Sequence, residues 1–422
     1  MLAAPLLAAP LKERVAYGSS REPSTTRSGA EPTMPKPPTT PPLNRATSVH
    51  DGARAGVSSL IGPIPSGARS FAIAGVAREG LAPFVEQLSA VFESEGFESA
   101  PRALDADFVI NLIDPGRPRP FRRGARGTFV AALAFLPAAP ADGLRETYPL
   151  LVRALANIVL CYIPGSGVAF TTMERGHYVV SAADDAQLAR RVAERLLPLA
   201  RARLVIDNEF VRDLEPELWN GDACTAQIAA AGQRLDRLGL LPTPFPIEEL
   251  VDERDLRHIR RLYGIGGLSY GNLSVRKDAS RFWMSASGVD KSVLSAPGRD
   301  ILLVAGFDAV RGRMLLSVPP EAVPRRVSVD AIEHWAIYRQ HPGIGAILHV
   351  HAWIDGVAAT EINFPCGTAE LASTVAALIA REPDPEHAVI GLRNHGITAT
   401  GENLDEILDR IEPRLLRQVP MN

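Results

Sequence analysis

Cysteine is scarce in this chain: Cys161, Cys224 and Cys366 are the only three in 422 residues, and none lies in a CxxC pair. So sparse and odd a count excludes a disulfide framework and points to a reducing compartment, the cytoplasm. Each thiol reads as a small apolar core residue. Charge of one sign is also missing. The 45 basic and 48 acidic residues leave a formal net charge of -3, which argues against nucleic acid or an anionic membrane as partner. Long hydrophobic runs are absent. The most apolar stretch, LVRALANIVLCYIPG, contains Arg153, stops at Pro164 and is too short to cross a bilayer; it reads as a buried helix or strand. The opening MLAAPLLAAPLKER has prolines within its apolar run and its basic residues after it, the reverse of a secretory signal. It reads as an untargeted tail, with Met34 as an alternative start. Nucleotide-binding loops are lacking too. The first strand-to-helix turn, GVAREG, is not GxGxxG, and no GxxxxGK[ST] occurs.

What is present divides into three regions. A length of 422 residues suits two or three domains, and 46% hydrophobic with 22% charged residues is ordinary globular usage. Residues 1–57, with PTMPKPPTTPP, are rich in Pro, Ser, Thr and Arg and cannot bury enough apolar surface to offset their ordering entropy; they read as a disordered tail. Residues 58–210 alternate strand-like runs (SFAIAGV, DFVINLI, TFVAALAFL) with helical stripes (LAPFVEQLSAVFESEGF, LRETYPLLVRALANIVL, DDAQLARRVAERLLPLARARL). VAFTTMERGHYVVS reads as a strand or hairpin. That order predicts an α/β layer domain, and DADFVINLID resembles a strand of epimerase-type Rossmann domains. The domain is expected to be structural or regulatory. The arginines of GRPRPFRRGARG (Arg117, Arg119, Arg122, Arg123, Arg126) read as a solvated loop rather than a phosphate grip.

Residues 211–422 carry the chemistry. His349 and His351 lie in ILHVHAW, and on a β-strand residues i and i+2 share a face, so both imidazoles reach one point. His395, in LRNHGITATG, completes a three-imidazole site for a divalent metal with an open position, the layout of a catalytic centre. Upstream, GIGGLSYGNLSVR sets Gly266, Gly267 and Gly271 beside Ser269, Asn272 and Ser274. Such a segment is either a plain hairpin or a cradle of backbone N–H groups and neutral donors for an anion. Helices are expected over TAQIAAAGQRLDRLGLL, IEELVDERDLRHIRRLYG, SVDAIEHWAIYRQHP, GTAELASTVAALIARE and NLDEILDRIEPRLL.

The ordered set YGNLSVR, SASGVDK, SVDAIEH, HVH and RNHGITATGENLDEILDRIE resembles the class II aldolase/adducin family. The resemblance implies an αβα domain with a central, mainly antiparallel sheet over residues 211–422. It implies a zinc-dependent lyase that cleaves a carbon–carbon bond of a small hydroxy-carbonyl or sugar-phosphate-like substrate through a metal-stabilised enediolate. Epimerase, dehydratase, decarboxylase and an adducin-like binding module share the same pattern. By resemblance His349, His351 and His395 bind the divalent metal, most naturally Zn2+. Ser269, Gly271, Asn272, Ser285, Ser287, Gly288 and Ser328 line the substrate's anionic end, and Asp330 is the acid/base. A homo-oligomer, a tetramer in the family, follows because family sites lie at subunit contacts. Two departures stand out: Asp330 replaces the family's usual Glu, with Glu333 one turn on as a substitute, and Tyr270 crowds the anion pocket. His334, four residues after Asp330, reads as a packing or orienting residue, and Trp353 and Asp355 read as pocket lining or loop surface.

Overall fold

In the computed structural model, which describes residues 61, 69–123, 128–172, 176–241, 250–257 and 271–420, the strands form two sheets. The tail expected over residues 1–57, Ser269, Tyr270, Arg126 and most of the helix expected over 247–264 lie outside the described residues; residues 253–257 of that helix are helical.

The first sheet contains β1 (Arg69–Ala74), β2 (Phe97–Ser99), β3 (Phe108–Ile113), β4 (Phe129–Phe135), β5 (Ile158–Ile163), β6 (Gly167–Thr172) and β7 (His177–Val180). Their order is β2-β1-β3-β4-β5-β6-β7. Pairs from β2 to β5 are parallel and the last two are antiparallel. The parallel order 2-1-3-4-5 differs from the 3-2-1-4-5-6 of dinucleotide-binding folds. Helices α1 (Ala82–Ser94), α2 (Gly143–Ala154) and α3 (Asp185–Arg201) connect or follow these strands. Asp142 caps α2 and Asp184 caps α3, each accepting from a first-turn backbone N–H. Helices α1 and α3 cover one face, while α2 covers the other together with Leu250, Val251 and Leu256. A sheet covered on both faces needs apolar side chains on both, and IVLCYI of β5 is buried at all six positions. That explains one correction. The helix expected over LRETYPLLVRALANIVL ends at Ala154, Leu155 turns left-handed (φ 53°), and the apolar remainder is strand β5. A run apolar on every side carries no period that separates helix from strand.

The second sheet contains β8 (Asp207–Val211), β9 (Asn272–Arg276), β10 (Phe282–Ser285), β11 (Ile301–Asp308), β12 (Arg313–Ser317), β13 (Ala346–Val350), β14 (Ala358–Ala359), β15 (Val389–Leu392) and β16 (Gly396–Gly401). The order is β14-β15-β16-β13-β9-β10-β11-β12-β8, antiparallel except at the two outermost pairs. Helices α4 (Ala223–Arg237), α5 (Ala331–Gln340), α6 (Ala369–Ile379) and α7 (Leu404–Ile411) share one continuous core with it. Asp222 closes a capping box at the start of α4. The chain crosses the expected boundary near residue 210: β8 pairs with β12, while Leu250, Val251 and Leu256 pack on the first sheet. Arg123, from the arginine-rich loop, donates to the Thr128 carbonyl and to Asn157 Oδ1, which makes it a loop latch. Among the described residues no helix is long and apolar enough to cross a membrane.

Candidate metal centre

Strand β13 runs between β9 and β16, with His349 opposite Asn272 on one side and Thr398 on the other. His351 lies one residue beyond the strand end, on the same side as His349 by the two-residue period. His395 comes from the tight turn joining β15 to β16. Asn394 precedes it with φ 58°, a conformation that Asn tolerates better than most residues. Two glycines bring the neighbouring backbones in close. A Cβ on Gly271 (φ +72°) would stand 2.4 Å from the His349 carbonyl oxygen, and one on Gly396 would stand 2.2 Å from that of Val350. Only glycine allows both flanks to close on the histidine strand.

The rings converge. Ligand atoms from His349, His351 and His395 all lie within 4.8 Å of one another, and the Nε2 atoms of His351 and His395 are 3.0 Å apart. His349 Nδ1–H donates to the Ile397 carbonyl at 3.0 Å, which turns Nε2 toward the other rings. His349 is 1% exposed, and its Nε2 is buried without a hydrogen-bond partner. Burial lowers the affinity of all three imidazoles for protons, and for His351 and His395 the neighbouring histidines add to it. Neutral rings are the form that binds a metal. A neutral three-nitrogen set with an orphaned buried lone pair fits a divalent transition metal such as zinc.

Polar groups crowd the same neighbourhood. Asp330 occupies the position just before α5, yet its side chain caps nothing. Asn272 Nδ2 instead donates to Asp330 Oδ2 at 2.8 Å, and Asp330 Oδ1 and Asn272 Oδ1 are both buried without partners. Glu333 turns the other way and accepts from Thr398 Oγ1 at 2.6 Å. Burial, reinforced by Asp330, pushes its carboxyl up to about 8, so it stays protonated near neutrality. His334 meets Ser274 Oγ at 2.7 Å, and burial drives its imidazole down to about 3. Ser285 is fully buried and accepts from the Leu273 N–H. The turn carrying Ser287 and Gly288 is tied to the Ser328 segment: Ala286 bridges Val327, Ser287 N donates to Arg326, and Ser328 N donates to Ser285. Ser328 precedes the helix by three residues, because α5 starts at Ala331. Trp353 packs against Gly391 and the core.

Two neighbours were not singled out by sequence. Lys291 is 3% exposed, on a short turn packed against Gly232 of α4; burial pulls its amine down to about 8, partly countered by Asp290 and Asp330. In sequence it was one charge in SASGVDK. Cys366 is a correction: it is a half-buried residue beside His395, not an apolar core residue. Its only sequence signal was its place between the two histidine motifs.

Residues 257–413 match the model of the Class II Aldolase and Adducin N-terminal domain family. Over 151 residues the chain is 28% identical to methylthioribulose-1-phosphate dehydratase of Gluconobacter oxydans (strain 621H). That match covers 35% of this chain and 50% of the relative, so the chain spans about half the relative's length. Among solved structures, L-fuculose 1-phosphate aldolase is 18% identical, with 46% of this chain and 85% of that one covered at a TM-score of 0.30. The N-terminal Class II Aldolase domain of a conserved protein from Thermoplasma acidophilum is 16% identical, with 45% and 89% covered at a TM-score of 0.29.

Proposed function

We propose that the protein, whose residues 257–413 match the class II aldolase/adducin family model, is a metal-dependent lyase acting on a small hydroxy-carbonyl compound. The observation that carries the proposal is the convergence of three neutral imidazoles, one with an orphaned buried nitrogen, beside a carboxylate that also has an unpartnered oxygen. A divalent ion, most naturally zinc, held by His349, His351 and His395 would supply Lewis acidity, worth several kcal/mol of charge stabilisation.

The chain's own residues supply the rest. Asn272 Nδ2 pins Asp330 Oδ2 and so aims Oδ1, the oxygen that takes the substrate proton. A positioned carboxylate contributes roughly 10²–10⁴-fold. Asp is one methylene shorter than Glu, and the bond to Asn272 compensates by fixing its direction. The hydroxyl groups of Ser287 and Ser328 hold the substrate's anionic end and turn binding energy into orientation, while the Ser287 and Ser328 N–H groups tie their two segments together. Removal of a proton by Asp330 opens either carbon–carbon cleavage or loss of water. The first is the family's namesake reaction. The dehydratase named among the relatives favours the second.

The test is metal analysis of the purified protein, followed by product analysis by NMR with phosphorylated and unphosphorylated ketoses and hydroxy acids. One equivalent of divalent metal and either cleavage fragments or a dehydrated ketone are expected. Protein that carries no metal as purified and takes up none from added zinc would defeat the proposal. Metal without turnover would leave an adducin-like binding module instead.

A further inference from the structure

Asp330 and Glu333 open and close DAIE at the start of α5, the spacing of a capping box. In that motif the leading side chain accepts from the N–H three residues on, and the glutamate reaches back to the leading N–H. Here Glu333 N donates to the Asp330 carbonyl oxygen instead, and the Asp330 side chain caps nothing. Both carboxyls turn to the sheet. Asn272, His349 and Thr398 sit opposite one another on β9, β13 and β16. Opposite residues share a face, so the three side chains form a row facing α5. Asp330 Oδ2 is held by Asn272 at one end and Glu333 Oε1 by Thr398 at the other, with His349 between them.

Each carboxyl keeps one oxygen buried without a partner, Asp330 Oδ1 and Glu333 Oε2. The two orphans match. Carboxyls on one helical turn, 6% and 2% exposed, resist carrying two charges. Asp330 has the Asn272 amide and the buried Lys291 cation in favour of its charge, whereas Glu333 has the neutral Thr398 hydroxyl. The proton therefore belongs to Glu333, whose carboxyl burial and Asp330 push up to about 8. Thr398 already donates to Oε1, so the proton sits on Oε2 and makes it a donor. Asp330 Oδ1 is an acceptor short of a donor on the same turn. Residues three apart on a helix have Cβ atoms about 5–6 Å apart, a gap that a Glu and an Asp side chain turned the same way can close.

We propose that Glu333 is a positioning residue for Asp330, donating its Oε2–H to Asp330 Oδ1. The proposal rests on the reading of Asp330 as the base and deepens it. Asn272 fixes one oxygen of the base and Glu333 the other. Oδ1 keeps a second lone pair to take the substrate proton. Glu333 retains its own proton throughout, so only the substrate's proton changes hands.

Infrared spectroscopy of the full chain incubated with zinc tests the bond without a substrate, with 13C-labelled glutamate to mark the band. Wild type is expected to show a protonated-glutamate carbonyl band that Glu333→Gln removes. Asp330→Asn exchanges the charged acceptor for a neutral one, so the band should move when the two proteins are compared at a pH where both hold the proton. With the substrate found by the product screen, Glu333→Leu is expected to lose about tenfold or more in kcat with little change in KM, the scale of one hydrogen bond to a charged group. Glu333→Gln can accept from Thr398 and donate from Nε2, so it should recover most of that loss. No band that Glu333→Gln removes, or a band at one position in wild type and Asp330→Asn, overturns the hydrogen bond. Glu333→Gln no better than Glu333→Leu, or full kcat in Glu333→Leu, overturns the positioning role. If Glu333→Leu fails to fold, the spectra of the other two variants decide. Failure to take up zinc would defeat the lyase reading instead, and leaves the band and its shift to be read on their own.

Discussion

Gly271→Ala probes how the histidine strand is held. Two costs meet at this position. The backbone has φ +72°, and a left-handed conformation costs a residue with a Cβ about 1–2 kcal/mol. The new Cβ would also stand 2.4 Å from the His349 carbonyl oxygen, which must retreat by about 1 Å to reach ordinary contact. Overpacking of that kind costs about 1–3 kcal/mol, for a total of about 2–5 kcal/mol. Gly312→Ala is the matched control. It lies in the β11–β12 turn of the same sheet with φ +65° and nothing within 4 Å of its Cβ, so only the conformational cost of about 1–2 kcal/mol applies. A metal site tolerates ligand displacements of only about 0.2 Å, so moving His349 should also weaken zinc binding while Gly312→Ala leaves it intact. Urea midpoints of the metal-free proteins and competition with a chromophoric chelator read the two effects. Equal midpoints and equal zinc affinities for the two variants would refute the claim that the close approach at Gly271 positions His349.

Other outcomes follow from the same site. His349→Ala should strip the metal, as read by elemental analysis; full metal content in that variant would refute the ligand assignment. Asp330→Asn should retain the metal and the fold but lose roughly 10²–10⁴-fold in kcat, and undiminished turnover would remove Asp330 from the chemistry. Glu333 has its carboxyl raised to about 8 by burial and by Asp330. It therefore favours the fold most below about pH 4.5, and this benefit is lost as pH rises through about 8. Glu333→Gln keeps an acceptor for Thr398, so its melting temperature relative to wild type should climb between pH 5 and pH 8. A constant difference across that range would contradict the buried protonated carboxyl.

The parts of the centre visible in sequence were those set by local periods. His349 and His351 share a face because strands repeat every two residues, and the glycine after His395 marks a turn wherever it occurs. The amphipathic stripes of α1 and α3 were legible for the same reason. Strand β5 was not, because a run buried on all sides has no period. Strands β2 and β8 were missed because they are short and mostly polar, and they exist only through pairing with β1 and β12. The neighbourhoods of Cys366, Lys291 and Glu333 depend on residues tens of positions away. Nothing near Cys366 in the chain announces His395, and a lysine in SASGVDK looks like any solvated charge until α4 covers it.

Strand β8 has a practical consequence for anyone dissecting the molecule. A fragment cut at the family boundary near residue 257 would lose both β8 and α4, uncovering the long side of β12 and the apolar surface beneath it. Unpaired N–H and C=O groups beside bared hydrophobic side chains invite strangers to dock edge to edge. Such a fragment should precipitate or self-associate more readily than one beginning before residue 205, which keeps β8 and α4 and bares only Leu250, Val251 and Leu256. The sheet that bears the three histidines borrows its last strand from the stretch that leads out of its neighbour.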